Sequence, residues 1–425
     1  MNGLKKYLWE NSLFLQNIDK FIFISILSVF FTSIYFPSDI IGFTALITVF
    51  LTILKFVFNP SKNTDKFNNF EVWLIAYFMV VVITLAGSTL FHLSLKGFFK
   101  TFTYISFYFS IAYYLKSNRD KIPYLLGAIG LCAGYEAIFG ILQNFSHVSE
   151  ISTWQDISNL NPEQVMTRVY GTLKPLNPNL LGGYLVVSFP SLFALSAYFL
   201  SDKKYKLSAL FSSLALITVI TLFLTGCRGA YIAAFAMFVA SFLISAKFFW
   251  NEYKKIYLTV IGGFCILITA ALMFLTSLRA RVLSIFAMRQ DSSNSFRFNV
   301  YHSSIDMFKD NWLLGIGIGN QNFREIYGLY MRTGFDALSS YNIYLETAVE
   351  SGIFALIAFL GFLISFFKKC INIIKQNTDV KTLIFVSCAL ISVTGVCIHG
   401  LVDTVFFRPQ IQFIFWTMIA VVSCI

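Results

Sequence analysis

Charge is scarce in this chain. Of its 425 residues only 12% are Asp, Glu, Lys or Arg, while 57% are hydrophobic. A soluble domain carries roughly twice that charged share. Histidine is rarer still. His92, His147, His302 and His399 lie far apart in sequence, so no metal site is expected and no cofactor is implied. The seven cysteines form no CxxC pair, and most fall inside apolar runs. They read as small buried hydrophobes rather than as a disulfide framework. The apolar runs are continuous and do not alternate with polar residues, which excludes a transmembrane β-barrel. No small-residue cleavage site follows the first twenty residues, so no secretory signal peptide is expected. That stretch mixes polar and apolar residues and suits an amphipathic helix on the cytoplasmic surface. No internal repeat is visible.

What is present is a series of apolar stretches of spanning length, each near the roughly 20 residues a bilayer demands. Twelve are expected, at about 21–37, 40–58, 71–90, 98–115, 123–144, 179–200, 207–226, 229–246, 257–276, 343–367, 383–401 and 409–425. The fold class is therefore all-α: a single polytopic membrane bundle over 1–425 with both termini cytoplasmic, placed in the cytoplasmic (inner) membrane. The connections expected inside are 59–70 (Lys62, Lys66), 116–122, 201–206, 247–256 and 368–382, all basic, as the positive-inside rule requires. Two outer segments are long, 145–178 and 277–342, and loops of that length usually carry function. Apolar residues at helical spacing over 297–310 predict a short amphipathic helix in the second.

Lysine and arginine divide across this topology. Of the 32 basic residues 19 fall inside, and 18 of these are lysine; of the 13 outside, nine are arginine. The nine are Arg168, Arg228, Arg279, Arg281, Arg289, Arg297, Arg324, Arg332 and Arg408. Lysine orients the chain, which explains the net charge of +11 without a nucleic-acid partner. The rigid fork of arginine suits phosphate or carboxylate.

Four constellations follow. Residues 207–246 are one apolar run interrupted only by Leu224 to Tyr231, LTGCRGAY, so the run must fold as a hairpin with Arg228 at its outer apex. The bland reading of Arg228 is an arginine snorkelling to the interface; the flanking glycines, which permit close approach to a ligand, favour anion binding. Arg297 opens the amphipathic helix, and its bland reading is a solvated loop arginine. Asn342, Glu346 and Glu350 share one helix face by i,i+4 spacing at the outer end of a span. The two glutamates need partners there, and outer arginines are the obvious ones, either as structural pairs or as part of a reactive site. Asn177-Pro178-Asn179 reads as a helix start whose free N–H groups also face outward. Glu136 and Asp403 are each either a proton site or a buried partner for an arginine. The string Gly315-Ile-Gly-Ile-Gly319 follows no strand and is not a dinucleotide loop.

Over about 165–367 these residues resemble the O-antigen ligase and polymerase-like membrane proteins. The TGCRGAY element resembles that superfamily's T-x-S-R-G-A element, with Cys227 for Ser. Arg297 and the stretch Trp312 to Gly317, WLLGIG, are similar to its second arginine motif. Tyr341, Asn342, nine residues, Gly352, two residues and Ala355 keep the spacing of the ligase signature, without its His and last Gly. The resemblance implies a pyrophosphate clamp of Arg228 and Arg297 on a polyprenyl-linked glycan, with Tyr341 at the position of the base. Tyrosine is a poor base near neutrality, with a reference pKa of ~10, and Glu346 is the substitute in reach. Arg168, Asn179, Asn342 and Glu350 are supporting candidates. The strings RVYGTLKPLNPNLLGGYL, GIGIGNQNFREIYGLYMRTGFDALSSYNIYLETAVESG and LVDTVFFRPQ also resemble the IctB-type branch, cyanobacterial proteins labelled as inorganic-carbon (bicarbonate) transporters. Two functions are thus expected: transfer of a glycan from a polyprenyl pyrophosphate at the outer face without a metal, or carriage of a small anion through the membrane. Neither reading fixes the oligomeric state.

Overall fold

A computed structural model describes residues 2–59, 67–145, 168–287 and 291–425. Lys62, Lys66, Arg289, His147 and most of the outer segment 145–178 lie outside the described residues. In chain order the helices are α1 (Asn2–Asn11), α2 (Leu13–Gln16), α3 (Ile18–Tyr35), α4 (Ser38–Phe58), α5 (Asn69–Ala86), α6 (Phe91–Ser117), α7 (Ile122–Phe145), α8 (Pro178–Ser201), α9 (Tyr205–Leu224), α10 (Arg228–Phe249), α11 (Lys254–Phe274), α12 (Thr276–Leu283), α13 (Ser292–Asp310), α14 (Asn320–Tyr327), α15 (Ile343–Gln376), α16 (Val380–His399) and α17 (Pro409–Ser423).

Among the described residues ten helices are long and apolar enough to cross a membrane. Two more, α6 and α17, occupy the remaining expected spans. The first turns of α6 carry His92, Lys96 and Lys100, which dilute its apolar character. At 15 residues α17 is short, but every residue from Pro409 to Ser423 is buried. A helix apolar all round belongs inside a bundle, and α17 packs against α6, α16, α8 and α3. Around it α5 lies along α15, α8 against α7, α9 and α16, and α10 against α16. Hydroxyls join helices where side chains are small: Ser392 Oγ donates to the Val187 carbonyl at 2.6 Å and Thr221 Oγ1 to that of Ala137 at 2.9 Å. Such bonds replace partners that lipid cannot offer.

The large outer segment departs from expectation in two ways. The amphipathic helix begins at Ser292, five residues earlier than the 297–310 read from periodicity. The Asp291 side chain caps it by accepting from the Asn294 N–H at 2.9 Å. In addition, α15 is not one continuous span. Gly352 has φ of +76° inside it. The Ile353 N–H, which an unbroken helix would direct to Val349, donates instead to the Trp312 carbonyl at 2.9 Å. The Val349 and Glu350 carbonyls accept from Ile316 and Gly317 at 2.9 Å each. Residues 312–319 therefore lie in the break as irregular backbone and satisfy the polar groups it frees. A Cβ on Gly352 would stand 2.2 Å from the Leu313 carbonyl oxygen.

Candidate functional site

The α9–α10 hairpin turns where the sequence reading put it. Gly226 takes φ of +62°, Cys227 is the N-cap of α10 and Arg228 its first residue. Two other arginines grip the backbone of this apex. Arg168 Nε donates to the Thr225 carbonyl at 2.8 Å, and Arg281 Nε donates to that of Gly226 at 2.8 Å. Arg228 itself is only 7% exposed, and its fork reaches α12 and the start of α13. Its Nη2 pairs with Asp291 Oδ1 at 2.9 Å, and its Nη1 donates to the Ser284 carbonyl and hydroxyl at 3.2 Å each.

A second line of groups runs beside the hairpin. Asn177 caps α8 by accepting from the Asn179 N–H at 2.8 Å, with Pro178 in the first turn. Asn179 is thereby held between two charges. Its Oδ1 accepts from Arg168 Nη2 at 2.6 Å and its Nδ2 donates to Asp403 Oδ2 at 3.2 Å. The same Asp403 oxygen lies 3.7 Å from Arg297 Nη2. The other Asp403 oxygen accepts from the Thr404 and Val405 N–H groups at 2.7 and 3.2 Å. The Arg297 guanidinium sits over the Tyr341 ring at 5.8 Å, and its Nε is buried with no hydrogen-bond partner. Asp403 also borders a cavity of about 10 Å³, which it lines with Gly183, His399 and Phe406. That is room for roughly one water.

Like charges crowd here. Burial lowers the Arg168 pKa, with Arg228 and Arg297 lowering it further against Cys227 and Tyr231. Arg281 is pushed down to about 10, by burial first and then by Arg168 and Arg228. Arg168 is thus within electrostatic reach of both Arg228 and Arg297 and links the two arginines singled out from the sequence. At Asp291 burial works to raise the pKa, but the hydrogen bond and charge of Arg228 overcome it and hold the carboxyl below its ordinary value. The Tyr341 phenol is raised above its ordinary value by burial and then by Asp403, so it stays neutral near pH 7.

The glutamates do something else. The sequence reading offered them outer arginines as partners; among the described residues both instead accept from the outer loop. Glu346, 2% exposed, takes the Ser340 N–H at 2.6 Å and the Ser340 hydroxyl at 2.8 Å. Glu350 Oε1 takes the Gly319 N–H at 3.0 Å. Asn342 caps α15, accepting from Tyr344 and Leu345 at 2.9 and 3.0 Å, and its amide donates to the Leu401 carbonyl at 3.1 Å. Glu136 likewise receives the Thr172 N–H at 2.8 Å and the Thr172 hydroxyl, so it anchors the end of the first outer segment. Asp403, by contrast, is the arginine partner that the sequence allowed it to be.

Three members of the site escaped the sequence reading. Asp291 carries a legible signal, an Asp before Ser-Ser-Asn at a helix start. Arg281 carries little, being two residues from Arg279 in the same basic string. Only the phase of α12 separates them: Arg279 is exposed and Arg281 is turned in towards Gly226. His399 is buried at the outer end of α16, with Nε2 3.6 Å from Cys227 Sγ. A Cβ on Gly229 would meet its ring at 2.6 Å.

Residues 183–360 match the family model described as O-antigen ligase. The match supports the O-antigen ligase-like superfamily and spans Arg228, Arg281, Asp291, Arg297, Tyr341 and Glu346. Arg168, Asn179 and Asp403 lie outside it. A comparison with curated proteins found no match.

Proposed function

We propose that this protein transfers a glycan from a polyprenyl-pyrophosphate carrier to an acceptor hydroxyl at the extracytoplasmic face of the cytoplasmic membrane. The observation that carries the reading is a charge imbalance. Arg228, Arg281 and Arg297 all lie within electrostatic reach of Arg168, making four guanidiniums, while the carboxylates they pair with among the described residues are Asp291 and Asp403. Among the described residues two positive charges are left over in a largely buried place. Such crowding is costly unless an anion joins it, and a pyrophosphate diester carries the matching charge. Singly charged bicarbonate would neutralise only half of the excess, which is why glycan transfer is preferred to small-anion carriage.

In the proposed reaction the acceptor oxygen attacks the anomeric carbon as its bond to the pyrophosphate oxygen breaks. The glycan passes to the acceptor, and the polyprenyl pyrophosphate leaves with the bonding electrons. The guanidiniums stabilise the charge that grows on the departing group, and their fixed positions supply orientation. The acceptor proton needs a base. Tyr341 is unsuited by its raised pKa and serves as the shelf under Arg297. Glu346 is occupied by Ser340. Asp403, beside Arg297 and Asn179, is the carboxylate best located to take the proton.

The test is equilibrium binding of undecaprenyl pyrophosphate to the purified protein in micelles. Arg228→Lys keeps the charge and removes the fork, and it should weaken binding by roughly tenfold or more. Equal affinity in the two proteins would remove Arg228 from the clamp.

A further inference from the structure

Away from the arginine cluster, at the end of the bundle where the lysines concentrate, a cavity of about 410 Å³ opens between α4, α5 and α6. Its long wall is one face of α6 from Ser106 to Lys116. At 1.5 Å per residue that face runs roughly 15 Å, about half the hydrocarbon thickness of a bilayer. The opposite wall is Val49, Ile53 and Phe56 of α4. Ile53 and Phe56 are 54% and 67% exposed, so the cavity opens sideways towards lipid.

Several polar groups of the lining are already hydrogen-bonded within the protein. Thr52 donates to the Thr48 carbonyl at 2.9 Å and Ser110 to that of Ser106 at 2.8 Å. Glu71 takes the Tyr108 and Ser423 hydroxyls at 2.7 and 2.6 Å, and the Asn68 N–H at 2.6 Å. Most of the surface facing the space is apolar. Positive charge gathers at one end only. Lys116 lines the cavity there; Lys55, 5.5 Å over the ring of the lining residue Tyr113, is buried and paired with Asp19 at 2.5 Å, so Lys116 is the cation that the lining itself presents. The gradient, one leaflet long and greasy below with Lys116 at the water side, matches an acyl chain joined to an anionic headgroup.

We infer that this cavity is a binding site for one anionic phospholipid of the cytoplasmic leaflet, with an acyl chain along α6 and its phosphate at Lys116. The site is separate from the proposed glycan-transfer site and does not depend on it.

Native mass spectrometry of the full chain, released from micelles supplemented with phosphatidylglycerol or phosphatidylcholine, tests this. One phosphatidylglycerol should be retained in preference to phosphatidylcholine. Ser110→Trp, which fills the groove, should lose that adduct while its thermal unfolding in micelles stays close to wild type. Lys116→Gln leaves the groove intact and should cut the preference about fivefold, the effect of one lysine near a lipid surface. Equal retention of both lipids by the wild type would overturn the inference. So would an undiminished preference in Lys116→Gln, whether or not Ser110→Trp folds.

Discussion

A guanidinium holds its charge almost regardless of surroundings and offers its donors in a fixed plane, so burying several together has few structural uses. Here Arg168 and Arg281 each spend one N–H on a hairpin carbonyl, and Arg228 and Arg297 each meet one aspartate. The Asp291 pair has a pH signature. Its folded pKa is depressed below its ordinary value, so the stability it contributes is complete above the unfolded value near ~4 and is lost as pH falls through the lower folded value. Melting curves from pH 5 down towards pH 2 should show the wild type losing its advantage over Asp291→Asn across that window. A constant difference would mean the Arg228 pair contributes nothing in the folded state. Residue chemistry was only partly legible in the sequence. Arg228 announced itself by breaking an apolar run, and Asp403 by its charge beside a span. Arg281 became a member through helix phase, and Asn179, a candidate by its place at a helix start, meets Arg168 and Asp403 through packing that one string of letters does not display.

At the level of elements, α15 explains why a spacing of Asn342, nine residues and Gly352 matters. Asn342 starts the half-helix as its cap, and Gly352 ends it with a backbone that other residues adopt at a cost. The segment in between carries Glu346 and Glu350, which hold Ser340 and Gly319 and so seat the outer loop on the bundle. Gly352→Ala should therefore cost about 2 kcal/mol or more, from the positive φ and the overlap with Leu313 together. Differential scanning calorimetry in micelles should register this as a Tm lowered by several degrees. An unchanged Tm would mean the break relaxes freely. Hydropathy placed the helix but could not show its break, because the apolar run after Gly352 continues the helical pattern before it and a lone glycine does not by itself end a helix. The early start of α13 was hidden for a related reason: Asp291 and the serines after it interrupt the apolar period that marks a helix body.

For the whole molecule, hydropathy and lysine placement were enough to read an all-helical bundle of about twelve spans, because lipid leaves a chain of this composition few alternatives. The same lysines assign the faces, and that assignment is open to direct test. Arg324→Cys should react with a membrane-impermeant maleimide on intact cells, and Lys203→Cys should react only after permeabilisation; the reverse pattern would invert the topology. Packing between distant spans was not legible. Nothing in the sequence joins Asn179 to Asp403, which the bundle brings to 3.2 Å. The central claim is that this meeting point holds the pyrophosphate of a polyprenyl carrier, and ligand-dependent melting probes it most directly. Undecaprenyl pyrophosphate at ~100 times its Kd should stabilise the wild type by about 2.7 kcal/mol, while bicarbonate should leave it unchanged and Arg228→Lys, binding about tenfold more weakly, should lose about half of the shift. Stabilisation by bicarbonate with none from the pyrophosphate would contradict the account.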